Sequence, residues 1–280
     1  MTSRSGRRIF SGADRDAALA RAIELLRADP RVEAAVITGS IGRGQADRWS
    51  DFDLEAVVTD GVPPEEVARD WEQIAYREWP VVHHYATGFG TSLVRGFLLE
   101  DGLLADLGFT PVVDFTAWAP VRVAFDRTGT VTKAAEAWKP WTPEPDWGGE
   151  SGFAAHDVLH ACVAANRGRL WQSHYYLGRI RNRTLSLASE RHGWDADDFT
   201  RVDDLPPAER DGVRASLVSV LEPPALLEAI AAATEAFLAE LRRGDADLAD
   251  RLSTPLRTVI AASRDELLRW PGGRRTTPVP

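Results

Sequence analysis

The chain has 280 residues, of which 33 are basic and 42 acidic, for a net charge of −9; 44% are hydrophobic and 27% charged. That length admits one large domain or two ordinary ones, and that composition excludes a wholly disordered chain. The acidic balance disfavours nucleic acid as a partner, and the single cysteine, Cys162, excludes an internal disulfide and any multi-cysteine zinc site, so a cytoplasmic location is expected.

The opening MTSRSGRRIF lacks the apolar run of a signal peptide. Ser11 to Asp14 offers helix-capping chemistry, and Ala17 to Leu26 has helical apolar spacing that Asp29-Pro30 ends. VEAAVITGS, from Val32, reads as a buried strand. After the loop IGRGQADRWS, DFDLEAVV reads as a second strand, and Pro63 to Glu78 as a helix opened by Pro-Pro-Glu-Glu. Leu93 to Leu99 and Leu103 to Phe109 are strands on either side of the turn signal Glu100-Asp101-Gly102, and Val121 to Phe125 is a shorter one.

From Trp138 to Gly152 the chain is rich in Pro, Gly and Trp and has no periodicity, which marks a domain boundary. Beyond it, Phe153 to Asn166, Arg169 to His192, Pro206 to Leu221, Pro224 to Arg242 and Thr254 to Arg269 read as helices. Ala225 to Leu241 is interrupted by Glu228, Glu235 and Glu240, so it is amphipathic and no membrane is expected as a partner. The expected fold is α+β: a mixed β-sheet flanked by helices over residues 1–145, a helical bundle over 146–270, and a disordered tail over 271–280.

The chemistry concentrates in TGSIGRGQADRWSDFDLE, residues 38–55. A strand ends at Thr38, Gly39 and Ser40 open a tight turn, and a short helix starts at Ile41 or Gly42. Backbone N–H groups and a hydroxyl at such a turn suit an anion. Arg43 and Gly44 follow. Then come Ser50, Asp51 and Asp53; in a strand Asp51, Asp53 and Glu55 share a face. Paired carboxylates suit Mg²⁺, whose other ligands would be waters and substrate phosphates. The spacing of the glycines in GSIGRG fits neither a dinucleotide fingerprint nor a P-loop.

Gly39-Ser40, Arg43-Gly44 and Ser50-Asp51-Phe52-Asp53 resemble the signature of the DNA polymerase β-like nucleotidyltransferase superfamily, closest to the small antibiotic nucleotidyltransferases of the aminoglycoside and lincosamide type. The resemblance runs from about Val32 to Phe109, and RGRLWQSHYYLGRIRNRTLSLASERHG carries a weaker likeness in the helical half. It implies a Mg²⁺-dependent transfer of NMP, AMP from ATP above all, to a hydroxyl of a small molecule such as an antibiotic, with pyrophosphate leaving. It also implies a third carboxylate on a neighbouring strand. Asp106 in GLLADLGF is the candidate, because a lone Asp inside a strand is disfavoured unless it faces a metal or a wet cleft; Asp114 is a second.

On this reading Asp51, Asp53 and Asp106 hold metal, with Asp106 either completing a metal site or acting as general base. Gly39, Ser40, Arg43, Ser50 and Arg181 would contact the nucleotide. Arg181 sits in the apolar arc of its helix, which fits a triphosphate contact or a structural salt bridge equally, while Arg179 and Arg183 lie toward the opposite side. His156 and His160 share a helix face but lack a third ligand and read as ordinary histidines; Asp157 reads as a surface residue. The acceptor is expected to be hydroxyl-bearing and cationic, bound between the two halves near the Trp138 to Gly152 segment. Two other readings keep the fold: transfer to a protein side chain, or a catalytically silent nucleotide-binding module.

Overall fold

The structure, a computed structural model, describes residues 9–269. The tail expected over 271–280 lies outside them. The chain divides into two compact units, the first ending at Pro140 and the second beginning at Trp141. No described helix is long and apolar enough to cross a membrane.

In the first unit, α1 (Gly12–Ala28) begins with a reciprocal cap. Ser11 Oγ accepts the Asp14 N–H at 3.3 Å, and the Asp14 carboxylate accepts the Ser11 N–H at 2.8 Å. There follow β1 (Val32–Ile37), a one-turn helix α2 (Gly39–Gly42), β2 (Phe52–Val58) and α3 (Pro64–Glu78). Next are β3 (Val81–Phe89), β4 (Ser92–Leu99), β5 (Leu104–Pro111), β6 (Arg122–Asp126) and α4 (Thr130–Glu136). The six strands form one mixed sheet in the order β3-β4-β5-β2-β1-β6, with β2 and β5 parallel and the other neighbours antiparallel.

The two faces of this sheet have opposite characters, and strand alternation decides which residue joins which. Phe52, Leu54, Ala56 and Val58 of β2 and Ala105, Leu107 and Phe109 of β5 point to one face. There Leu19, Ala22 and Leu26 of α1 and Val67, Trp71 and Ala75 of α3 cover them. Trp71 is fully buried 6.5 Å from Phe109; trimming such a ring to alanine costs about 3–5 kcal/mol. On the other face Ala34, Val36 and Val57 pack under Val131 of α4. The remainder of that face bears Asp53, Glu55, Asp106, Gly108 and Thr110.

The second unit is a helical bundle of α5 (Trp147–Asn166), α6 (Leu170–Arg191), α7 (Pro207–Arg214), α8 (Pro223–Gly244) and α9 (Ala246–Arg269), with two short 3₁₀ turns between α6 and α7. Cys162, Leu177, Ile180, Leu187, Ile230, Phe237 and Leu241 form its core.

Several elements differ from the sequence expectation. β3 and α4 were not anticipated: VVHHYATGF mixes polar and apolar residues without alternation, and α4 is only two turns long. α5 starts at Trp147 rather than Phe153, because Asp146 accepts the Gly149 N–H at 2.9 Å and caps the glycine-rich turn. The helix expected to reach Leu221 ends at Arg214. There the N–H groups of Ser216 and Leu217 turn back to Val213 and Arg214, tightening the last turn. α9 starts at Ala246 rather than Thr254 and runs through Pro255, its first turn capped by Asp245 on the Leu248 N–H at 2.9 Å.

Candidate functional site

β1 ends at Ile37, and the chain turns sharply into α2. Gly39 has φ +58°, and a Cβ built there would lie 1.8 Å from Asp53 Oδ2. Only glycine allows the turn to pass this close to the carboxylate. α2 therefore begins at Gly39, earlier than Ile41. Ser40 Oγ is buried and has no hydrogen-bond partner among the described residues. A hydroxyl in that condition is costly unless a ligand satisfies it. Arg43 caps the end of α2, exposed, with Nε 3.4 Å from Gln45 Oε1.

Asp53 and Asp106 are register partners across the parallel β2–β5 ladder, so both carboxylates stand side by side on one face. Asp51 is the residue just before β2 and is not part of the strand. Asp53 makes no side-chain hydrogen bond within the described residues. Burial pushes its carboxyl up to about 6, the charges of Asp51 and Asp106 add to the rise, and Arg43 opposes it. Asp106 is also raised, by burial first and by Asp51 after it, while the Tyr85 hydroxyl, which donates to Asp106 Oδ1 at 2.9 Å, works the other way. Burial and that same hydrogen bond push the Tyr85 phenol up to about 12.

Among the described residues, no three His, Cys, Asp or Glu side chains close into a metal cage. Asp51, Asp53 and Asp106 feel one another's charge without converging on one point, since Asp51 lies outside the strand and Tyr85 holds one oxygen of Asp106. The donor set still fits Mg²⁺: hard carboxylate oxygens with uncompensated charge, too few to complete a shell. Mg²⁺ usually takes only one or two carboxylates and completes its octahedron with water and phosphate.

The remaining expected site residues are placed as follows. The Ser50 hydroxyl is engaged in its own loop: it accepts the Asp47 N–H at 2.9 Å and donates to Asp47 Oδ1 at 3.1 Å, so it shapes the approach to Asp51. Arg181, in the helical unit, donates to the Ser216 carbonyl at 3.1 Å and forms no ion pair among the described residues; burial lowers its pKa. Asp114 sits exposed in the turn after β5. His156 and His160 pack ring against ring in a tilted pair with centroids 4.1 Å apart, and both rings lie against Tyr176. Asp157 is not a surface residue: it is fully buried, and Arg179 and Arg183 reach it at 3.1 and 3.0 Å. Its partners lie a full helix away in sequence, so local pattern alone could not reveal them.

Two participants were not singled out in the sequence. Tyr85 lies on the unanticipated β3. Glu55 shares the Asp53 face and accepts hydrogen bonds from Ser92 Oγ at 2.8 Å and from Thr110 Oγ1. A signal for it existed in Gly108, since a glycine inside an apolar strand marks a close approach. A Cβ there would lie 2.0 Å from Glu55 Oε2. Glu55, Ser92, Gly108 and Thr110, though not Tyr85, line a cavity of about 320 Å³ whose lining also includes Asp53, Asp106, Phe115 and Trp118.

No family profile matches the chain, and no curated protein does either. Among solved structures it is similar to an aminoglycoside 6-adenyltransferase from Bacillus subtilis, at 11% identity and a TM-score of 0.35, over 86% of this chain and 96% of that one. It is also similar to a nucleotidyltransferase-like protein from Exiguobacterium sibiricum, at 11% identity and a TM-score of 0.40, over 91% of each chain.

Proposed function

We propose that the protein is a Mg²⁺-dependent nucleotidyltransferase that moves NMP, from ATP foremost, to a hydroxyl of a small molecule, such as an antibiotic, and releases pyrophosphate. One observation carries the reading: Asp53 and Asp106, which form no ion pair among the described residues, stand side by side next to a glycine turn whose Ser40 hydroxyl has no partner among those residues. Anionic side chains beside an unsatisfied donor make sense if a cation and an anion arrive together, as a metal-bound triphosphate does.

Asp53 and Asp51 would hold the ion, with Asp106 beside them. When bound, Mg²⁺ supplies charge neutralisation on the phosphates and acidifies a nearby hydroxyl. Ser40 would donate to a phosphate oxygen, and the Arg43 guanidinium would add positive charge on the same side of Asp53. Asp106 has one oxygen tied to Tyr85 and a carboxyl raised by burial, which suits the acceptance of a proton from the attacking hydroxyl.

The test is incubation with each labelled nucleoside triphosphate, Mg²⁺ and a library of hydroxylated small molecules, read by mass spectrometry. A library member that gains one nucleotidyl group supports the reading. Unchanged triphosphate throughout, or label on protein alone, overturns it.

A further inference from the structure

The six-stranded sheet has two edges, and they are built differently. β6, at one edge, is short, carries Arg122 and Asp126 at its ends, and meets β1 with a register shift. Arg27 also covers it: Nη2 donates to the Ala124 carbonyl at 3.1 Å, and the guanidinium sits 4.5 Å from the centroid of the Phe125 ring. Charge, irregularity and a covering side chain are the ordinary means of keeping an edge from pairing with another chain. β3, at the other edge, is nine residues long and reads VVHHYATGF, with no lysine, arginine, acid or proline. Its one irregularity, at Val81–His83, leaves the register with β4 unbroken from His83 to Phe89. Val82, His83 and the residues from Tyr85 to Gly88 are exposed.

Ladder alternation decides which backbone groups of β3 are free. Gly90 and Thr91 form a two-residue loop closed by the Phe89–Ser92 pair, so Phe89 bonds to β4 and the direction alternates back along the strand. The backbone groups of His83, Tyr85 and Thr87 therefore face β4. Those of His84, Ala86 and Gly88 face outward, where the sheet order places no further strand among the described residues. Such a row of donors and acceptors is matched by another extended strand. In an antiparallel two-fold pair, a residue and its mate share a face and both aim their backbone groups across the seam, which puts the axis at a residue and not between two. An axis at Tyr85 uses the whole run. His84 of one copy exchanges hydrogen bonds with Ala86 of the other, His83 stands opposite Thr87, and Tyr85 opposite Tyr85. β3 carries no acid or permanent cation, so this self-pairing sets no like charges against one another. Exposed apolar surface lies along the same edge, on Val82, on Tyr85 and on Tyr76, whose ring meets His84.

We infer that the protein forms a two-fold dimer by edge-to-edge pairing of β3 with β3 of a second copy, which joins the two sheets into one. The seam reaches the carboxylates as well. Tyr85, whose hydroxyl donates to Asp106 Oδ1 at 2.9 Å, stands on the axis, so pairing restrains the side chain that positions Asp106. Dimerisation itself does not depend on the transferase reading.

The experiment is sedimentation equilibrium of the full chain from low to high micromolar concentration. The mass should rise from 30.8 kDa toward twice that value. Ala86→Pro removes an outward donor without taking a bond from β4, a change that an edge strand tolerates. It should weaken association at least about tenfold, since the seam loses the same bond on both sides of the axis. Added salt should strengthen association, because each copy carries a net charge of −9 and the seam itself is uncharged. Residue-resolved amide exchange on wild type gives a second readout. The amides of His84, Ala86 and Gly88 should be protected at high concentration and exchange on dilution, while those of His83, Tyr85 and Thr87 stay protected at both. Should Ala86→Pro fail to fold, this alternation decides alone. A mass of 30.8 kDa throughout, an undiminished dimer in folded Ala86→Pro, a dimer that salt dissociates, or exchange at the three outward amides that ignores concentration overturns the β3 pairing.

Discussion

In the helical unit Asp157 is fully buried and closed off by Arg179 and Arg183, and Glu240, 2% exposed, is held by Arg191 at 2.6 Å and by Arg243. In the sheet unit Asp53 and Asp106 are half-buried, and among the described residues neither has a basic side chain in an ion pair; Asp106 accepts the Tyr85 hydroxyl. The same chemical group is thus used in two ways. Where arginines complete it, the carboxylate ties helices together. Where nothing cationic completes it, the charge is a standing cost that the fold bears until a ligand removes it. A buried acid is evidence for function in proportion to how poorly the protein itself satisfies it.

The largest expected effect separates the two uses directly. Asp53→Asn should lower nucleotidyl transfer by about a hundred- to a thousandfold, the usual loss when a charge-stabilising group is removed from a reacting centre. The folded protein without metal should be no less stable, and even more so, because an uncompensated charge disappears. Asp157→Asn should do the reverse. It leaves Arg179 without its anion and Arg183 with Glu150 alone, and should cost about 3 kcal/mol, at the low end for a broken buried pair because one arginine keeps a second carboxylate and both keep partial access to water. Urea unfolding and a transfer assay on both variants decide it. Equal destabilisation by the two substitutions would erase the distinction.

The pH dependence of stability sharpens the same contrast. The Asp53 carboxyl is raised from 3.8 to about 6 in the folded state, so the folded protein holds its proton more tightly than the unfolded chain does. Its contribution is therefore most favourable below about pH 4 and is lost as pH rises through 6, by at most about 3 kcal/mol for a shift of roughly two pH units. Glu209 in the helical unit behaves oppositely. Burial would raise it, but hydrogen bonds from His192 and Arg191 hold it below its usual 4.5, so its contribution is present at neutral pH and fades in acid. Thermal unfolding of wild type and Asp53→Asn between pH 4 and 8 isolates the first effect. The wild type should lose ground to the variant as pH rises to 6, and Mg²⁺ should restore it above that. Parallel curves would mean that Asp53 is already satisfied.

Much of this was readable before the fold was known, and the exceptions have physical reasons. Strands β1, β2, β4 and β5 announced themselves through apolar runs and a Gly-turn hairpin, all local signals. The placing of Asp106 on a face with Leu104 and Gly108 followed from alternation alone. Its partnership with Asp53 depends on the parallel β2–β5 register, which no local pattern encodes. Tyr85 stayed hidden because His83, His84 and Thr87 break the apolar rhythm of β3. Glu55 was visible as a carboxylate on the Asp53 face, but Ser92 and Thr110 reach it from other strands, 37 and 55 residues away. Asp157 was misread for the same reason: its burial is a property of how α5 meets α6.

The smallest expected effect concerns serine hydroxyls, and it again compares the two units. Ser40 Oγ in the sheet unit and Ser189 Oγ in the helical unit are both buried without hydrogen-bond partners among the described residues. Replacing either with alanine removes an unsatisfied polar atom and leaves no hole of consequence, so neither Ser40→Ala nor Ser189→Ala should lower the melting temperature. They should differ in nucleotide binding. Ser40 adjoins Gly39, which touches Asp53, so its hydroxyl is available to a phosphate oxygen that a cation at Asp53 would draw in. Loss of one hydrogen bond to a charged group weakens binding about tenfold. Ser189 is on α6 among Leu187, Ala188 and the bundle core, with no anion site to serve, and its removal should leave affinity alone. Titration of both variants with a non-hydrolysable ATP analogue and Mg²⁺ makes the comparison. If the two serines behave alike, the empty hydroxyl at Ser40 is a packing defect like the one at Ser189, and the phosphate role assigned to the Gly39-Ser40 turn is wrong.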